Sequence, residues 1–200
     1  MKKIGLVVIV FLCAVSARAQ SYQAGDNLLN VGIGLGSNYI SGDNSMIIPP
    51  LVASYEFGVH DAISVGPYIN FLTQGHTQSH GGYDTPDGYV DEPLDVRHRS
   101  TDIRFGARGS YHFGELLGTV DQFDPYATLG LGFHHWRSRG RAQDTPSDYN
   151  DNYEYTDNGL NYVEWGISIG ARYWFSNLGA WMEIGVLPGI WAQAGLAVKL

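Results

Sequence analysis

The chain has 200 residues, with 20 Asp and Glu against 12 Lys and Arg, 26 glycines, 13% aromatic residues and a single cysteine. The acidic balance argues against nucleic acid as a partner, and one cysteine excludes a disulfide framework or a thiolate metal site. Glycine and aromatics point away from helix, and the best apolar run, Leu178 to Val198, is broken by Glu183, Pro188 and several glycines before it can serve as a ~20-residue transmembrane helix.

Met1 to Ala19 reads as a secretory signal. It has Lys2 and Lys3, an apolar run from Ile4 to Val15 and the small-x-small site Ala17-Arg18-Ala19. Residues 1–19 are therefore assigned to a signal peptide and 20–200 to one domain. Cys13 lies inside the run, but Leu12 occupies the place where a lipoprotein signal carries a small residue. Cleavage removes Cys13, Lys2, Lys3 and Arg18, leaving nine basic residues in the mature chain.

From Asn27 onward the pattern has period 2, the mark of strands. Asn27 to Gly36 sets Leu29, Val31, Ile33 and Leu35 against Asn30, Gly32, Gly34 and Gly36. The glycine string lacks a following helix, so its small residues make room for a large neighbour, with Tyr68, Trp174 or Trp191 as candidates. Ile47 to Phe57 sets Leu51, Ala53, Tyr55 and Phe57 against Val52, Ser54 and Glu56. After the tight turn Val59-His60-Asp61, Ile63 to Leu72 sets Ile63, Val65, Ile69 and Phe71 against Ser64, Gly66, Tyr68 and Asn70.

Thr73 to His98 then reads as a long solvated loop with Asp84, Asp87, Asp91, Glu92 and Asp95. His76 and His80 are four apart, but Gly75, Gly81 and Gly82 oppose the helix that would aim both at a metal. Thr101 to Phe113 alternates most clearly. Asp102, Arg104, Arg108, Ser110 and His112 share one face, and Ile103, Phe105, Ala107, Tyr111 and Phe113 the other.

Gly114 to Asp124 connects to Tyr126 to Trp136, whose apolar set is Ala127, Leu129, Leu131 and Phe133. Ser138 to Gly159 is a second acidic loop. Asn161 to Phe175 sets Val163, Trp165, Ile167, Ile169, Ala171, Tyr173 and Phe175 on one face. Its Gly166-Ile167-Ser168-Ile169-Gly170 spells G-x-S-x-G in mid-strand, without the strand-turn-helix that exposes a nucleophile. Past Ser176-Asn177, Ala180 to Val186 and Ile190 to Leu200 complete eight strands, the last with Ile190, Ala192, Ala194, Leu196, Val198 and Leu200 on the apolar face.

Eight strands of about 9 to 11 residues, with short turns at one end and long loops at the other, predict an all-β, eight-stranded antiparallel up-and-down transmembrane barrel. In it the apolar faces meet lipid and the polar faces fill the lumen. A soluble lipocalin-like barrel would need the reverse. The pairs Tyr55/Phe57, Tyr111/Phe113 and Tyr173/Phe175 each precede a short connection and so form a periplasmic aromatic girdle. Inward positions collect Glu56, Asp102, Glu164 and Glu183 against Arg104, Arg108, Arg172 and Lys199, a balanced network expected to plug a lumen that eight strands make only wide enough for side chains. His76, His80, His98 and His134 form a candidate outer-rim site. No catalytic set, metal or cofactor is assigned.

The signal ending at Ala19, the string Asp124-Pro125-Tyr126-Ala127 with Leu129-Gly130-Leu131-Gly132-Phe133, and the terminal Gly195-Leu196-Ala197-Val198-Lys199-Leu200 resemble small Gram-negative outer-membrane β-barrel proteins of the OmpA-transmembrane-domain and OmpX-like kind. Leu200 stands where that group most often ends in an aromatic. The resemblance implies outer-membrane localisation, with periplasmic chaperones and the barrel-assembly machinery as partners during insertion. Outer-membrane lipid, lipopolysaccharide and an extracellular ligand are the expected partners thereafter. The acidic, tyrosine-bearing loops suit a structural or surface-binding role and can recruit divalent cations that bridge to lipopolysaccharide. The alternatives are a lipid-modifying hydrolase or acyltransferase using a rim His and carboxylate, and a narrow channel.

Overall fold

The computed structural model describes residues 22–35, 44–85, 88–118, 122–142, 155–157, 159, 161–187 and 190–200. The signal peptide assigned to residues 1–19 and most of the Ser138 to Gly159 loop lie outside them. The strands are β1 (Asn27–Leu35), β2 (Asn44–His60), β3 (Ile63–Thr85), β4 (Gly88–His112), β5 (Phe123–Ala142), β6 (Tyr155–Asp157), β7 (Asn161–Phe175), β8 (Leu178–Leu187) and β9 (Ile190–Lys199). A short helix, α1 (Gly114–Leu117), lies between β4 and β5 and ends at Gly118 in the left-handed conformation, φ 58°.

All pairings are antiparallel. Eight strands form a ring in which each pairs with its neighbours in the chain, and β1 closes it by pairing with both β2 and β9. The three-residue β6 adds to the outer part of β5, with Thr156 opposite Arg139. The chain is thus a closed eight-stranded up-and-down barrel.

Its sidedness is that of a membrane wall. Along β5, Leu129, Leu131 and Phe133 are 59%, 60% and 52% exposed, whereas the alternate Thr128 and His134 are 2% and 1% exposed. Val31, Ile69, Phe105, Val163, Ile169, Met182 and Leu196 extend the exposed apolar surface around the ring. Such a continuous band is far larger than a soluble monomer leaves open, and burying it in hydrocarbon is what stabilises it. This rules out the lipocalin-like alternative and identifies an outer-membrane type of barrel, with charge inside and apolar residues outside.

The expectation of a solvated loop over Thr73 to His98 is corrected. β3 and β4 continue as one ribbon, paired from Thr73 opposite Thr101 to Thr85 opposite Gly88, with one irregularity between Gly81 and Tyr83. The backbone ladder satisfies these residues whatever their polarity. Beyond the apolar belt the outward face carries polar residues such as Arg97 and Arg99 while Thr73, Ser100 and Ser138 stay buried inside, so the sequence loses its apolar contrast while the strands persist. β5 likewise runs to Ala142, past the expected end at Trp136.

One further position departs from the expected alternation. Ile190, assigned outward, is 2% exposed and lies in the lumen beside the irregularity between Ile184 and Leu187 in the β8–β9 ladder. It fills the space at Gly34, where a Cβ would stand 2.7 Å from its Cγ2, as Trp181 fills that at Gly32. At Gly32 and Gly34 the neighbours are therefore not Tyr68, Trp174 or Trp191, while Gly36 lies outside the described residues. Trp191 in fact faces outward.

Candidate functional site

The lumen is the most constrained chemical environment in the molecule. On the side of β1, β2, β7, β8 and β9 it holds an apolar cluster of Leu28, Val52, Trp174, Trp181, Ile190 and Ala197, joined by Tyr22. The remainder is filled with charge, because the inward residues of β4, β5 and β7 are polar at nearly every turn of the pleat. These charges fall into two tiers.

The lower tier, towards the short turns, is built on two buried carboxylates. Glu56 accepts hydrogen bonds from Asn30 Nδ2 (2.7 Å), Ser64 Oγ (2.5 Å), Ser110 Oγ (3.1 Å) and the Arg172 guanidinium. Glu183 accepts from Tyr126 Oη (2.9 Å), Gln193 Nε2 (2.5 Å), Ser168 Oγ (3.2 Å) and the Arg108 guanidinium. Four donors match the capacity of an ionised carboxylate, so neither charge is left bare. Arg172 also reaches Asp124 Oδ2 at 3.3 Å and lies over the Tyr126 ring at 4.2 Å. Asp124 Oδ1 in turn meets His112 Nδ1 at 2.8 Å.

The upper tier is more loosely paired. Arg104 Nη2 meets Asp102 Oδ2 at 2.6 Å, and Asp102 Oδ1 lies 2.9 Å from His134 Nε2. Glu164 approaches His134 Nδ1 at 3.5 Å and Arg104 Nε at 3.8 Å, yet neither of its oxygens has a hydrogen bond among the described residues. Of the eight charged lumen residues expected from sequence, seven occur in these tiers. Lys199 stands apart at the short-turn end, paired with Asp26 Oδ2 at 2.9 Å beside the Trp174 ring.

Sequence reasoning missed Asp124 and His112 as members of the network. His112 was already on the inward face of its alternation, and Asp124 shares parity with Tyr126, so both were open to the same counting. It also missed residues 22–26, which fold across the short-turn end. Tyr22 stacks on His112 with ring centroids 3.6 Å apart and donates to the Ile63 carbonyl at 2.6 Å. Ala24 N–H donates to Asp61 Oδ1 at 3.0 Å.

The four rim histidines do not share one site. His76 is the register partner of His98 in the β3–β4 ribbon, and His80 lies further out, opposite Leu94. His134 is opposite Arg104, six residues along β4 from His98, within the upper tier. Its second ring nitrogen meets the Tyr162 hydroxyl, and no serine hydroxyl is bonded to it among the described residues. The aromatic pairs Tyr55/Phe57, Tyr111/Phe113 and Tyr173/Phe175 gather at the short-turn end, with ring centroids 4.7, 5.1 and 5.0 Å apart.

No family model matches the sequence, and no curated protein matches it either. Solved structures similar to it include Ail, the attachment invasion locus protein of Yersinia pestis, determined in complex with the heparin analogue sucrose octasulfate. That match has 10% identity and a TM-score of 0.47, over 88% of this chain and 99% of that one. The outer membrane protein OprG from Pseudomonas aeruginosa is another, with 14% identity and a TM-score of 0.44, over 90% of this chain and 98% of that one.

Proposed function

We propose that this protein is a non-conducting structural and surface-binding barrel of the outer membrane. The observation that carries this reading is the filled lumen: Glu56 is bonded to Arg172 and Glu183 to Arg108, and Asn30, Ser64, Ser110, Thr128, Ser168 and Gln193, from six strands, bond to these four. Such a network opposes a continuous water path, which leaves the outer surface as the working part. The aromatic girdle then lies at the periplasmic face, and the β3–β4 ribbon with the outer end of β5 faces outward towards lipopolysaccharide and extracellular ligands. Insertion proceeds through periplasmic chaperones and the barrel-assembly machinery.

Planar-bilayer recording tests this directly. The purified barrel is expected to give no steady conductance, and Arg108→Ala to give none or brief openings. Steady conductance that changes with Arg104 or Arg108 substitution would replace the plug with a channel. The contact between His134 and Asp102 favours a second reading, a lipid-modifying hydrolase. Replacing His80 and His134 by alanine is expected to leave the lipid profile of the host membrane unchanged, because His134 is committed to the upper tier. Loss of a modified lipid species would favour the enzyme.

A further inference from the structure

The chain is acidic overall, yet its cations are distributed with an unusual bias. Arg104, Arg108 and Arg172 are buried in the lumen and Lys199 is paired with Asp26. Beyond the signal segment, the five other basic residues are Arg97, Arg99, Arg137, Arg139 and Arg141. All five fall on two adjacent strands. In the β4–β5 ladder Arg97 is opposite Arg141, Arg99 is opposite Arg139, and Arg137 is opposite Thr101.

Directly opposed like charges weaken an antiparallel pair, and here two such pairs occur in succession. Arg97, Arg99, Arg137 and Arg139 are exposed, and none makes an ion pair with another described residue. Asp95, two residues beyond Arg97, is the nearest acid along β4 on the same face. Among the described residues, the positive charge of Arg97, Arg99, Arg137 and Arg139 thus has no ion-pair partner.

Its height on the wall selects the partner. The outward column of β4 runs Tyr111, Ala107, Phe105 and Ile103 through the apolar belt, then Thr101, Arg99 and Arg97. Arg99 lies four residues past Ile103, which at ordinary strand rise and tilt is about 10 Å above the end of the belt. That is the level of lipid headgroups, and the exposed arginines stand on the outer wall there. A groove of about 390 Å³ joins the two zones. Phe71 and Ile103 line its lower part, with Thr73, Thr101, His135, Arg99, Arg137 and Arg139 above.

We propose that this face binds the phosphorylated headgroup of an outer-leaflet glycolipid, with guanidinium forks on the phosphates and the acyl chains against Phe71 and Ile103. Arginine suits the task because its planar fork meets a phosphate with two parallel hydrogen bonds. The inference rests on the surface-binding reading and names one partner for it. It assigns lipopolysaccharide contact to direct arginine–phosphate pairing rather than to cations bridged by acidic loops.

The test uses the full barrel in detergent micelles, titrated with bisphosphorylated lipid A, the same lipid with its phosphates removed, and inorganic phosphate. Native mass spectrometry reads the bound fraction. The wild-type protein is expected to retain bisphosphorylated lipid A and to lose at least tenfold in affinity for the dephosphorylated lipid. The triple variant R99Q/R137Q/R139Q is expected to lose at least tenfold for the bisphosphorylated lipid while keeping its heat-modifiable gel mobility. Should the triple variant fail to fold, R139Q alone is expected to lose severalfold. Equal binding of the two lipids, or unchanged binding by the folded variant, would overturn the proposal. Competition by micromolar inorganic phosphate would overturn the lipid assignment in favour of a free-anion site. Chelating divalent cations is expected to leave binding intact, and its loss on chelation would restore the bridged mode. Because the β3–β4 ribbon tip is untouched in these variants, attachment of cells to extracellular surfaces tests the broader reading separately.

Discussion

Replacing Arg172 by methionine is expected to lower the stability of the folded barrel by about 3–5 kcal/mol, the cost typical of removing one partner from a buried ion pair. Arg172 is 1% exposed and bonds both Glu56 and Asp124, so its loss takes a directly bonded cation from two carboxylates at once. Asn30, Ser64 and Ser110 still donate to Glu56 after the change and Arg108 Nε lies 4.0 Å from it, but neutral donors and a more distant cation do not replace the direct pair. Urea unfolding of the refolded protein in lipid vesicles measures the difference. The double variant Glu56→Gln with Arg172→Met is expected to recover part of the loss, since it removes one uncompensated charge along with the cation. If the double variant is as unstable as the sum of the two single ones, Glu56 and Arg172 are not coupled and the lower tier is misdescribed.

Leu129→Arg is the second large effect, expected at about 2–4 kcal/mol for a lipid-facing cation near the bilayer midplane. Leu129 is opposite Gly109 on β4 and Ile167 on β7, midway between Phe123 and His135 on the outer wall of β5. Thr101→Arg, made on the same outward face where the belt ends, is expected to cost about 0–1 kcal/mol, because the side chain there reaches headgroups and water. Both are read by the same unfolding experiment. Equal costs at the two positions would mean that the wall at Leu129 does not face hydrocarbon.

The barrel was legible in the sequence wherever each residue must face either lipid or lumen. Thr101 to Phe113 shows this best, since its Arg104 and Arg108 are buried and its Phe105 is half exposed. The same rule explains where reading stopped. Above the belt the outward face meets water rather than hydrocarbon, so the β3–β4 ribbon and the outer part of β5 lose the contrast of an apolar face against a polar one and look like loops. Arg97, Arg99, Arg137 and Arg139 lay at or within those apparent loop margins, and so could not be put on a face until the strands were seen to continue. Inside, parity found the charged residues but not their partners. Which strand meets which depends on the stagger of the whole ring, and Glu56 and Arg172 are 116 residues apart. Residues 22–26 follow no period at all, so the lid that Tyr22 makes over His112 left no pattern to detect.

The ladder between β1 and β9 carries a kinetic consequence. Seven of the eight contacts around the ring join successive barrel strands, whereas this one sets Leu28 opposite Lys199 and lets Leu200 N–H donate to the Asn27 carbonyl at 2.9 Å. Joining segments so far apart costs about 3 kcal/mol more chain entropy than closing a short turn, if the intervening strands are not yet ordered. The hairpins therefore assemble first and the seam zips last. Until it does, the facing edges of β1 and β9 expose unpaired amides and carbonyls, each worth several kcal/mol in hydrocarbon. Insertion and closure must then advance as one concerted event, with the first and final strands meeting as the sheet enters the bilayer.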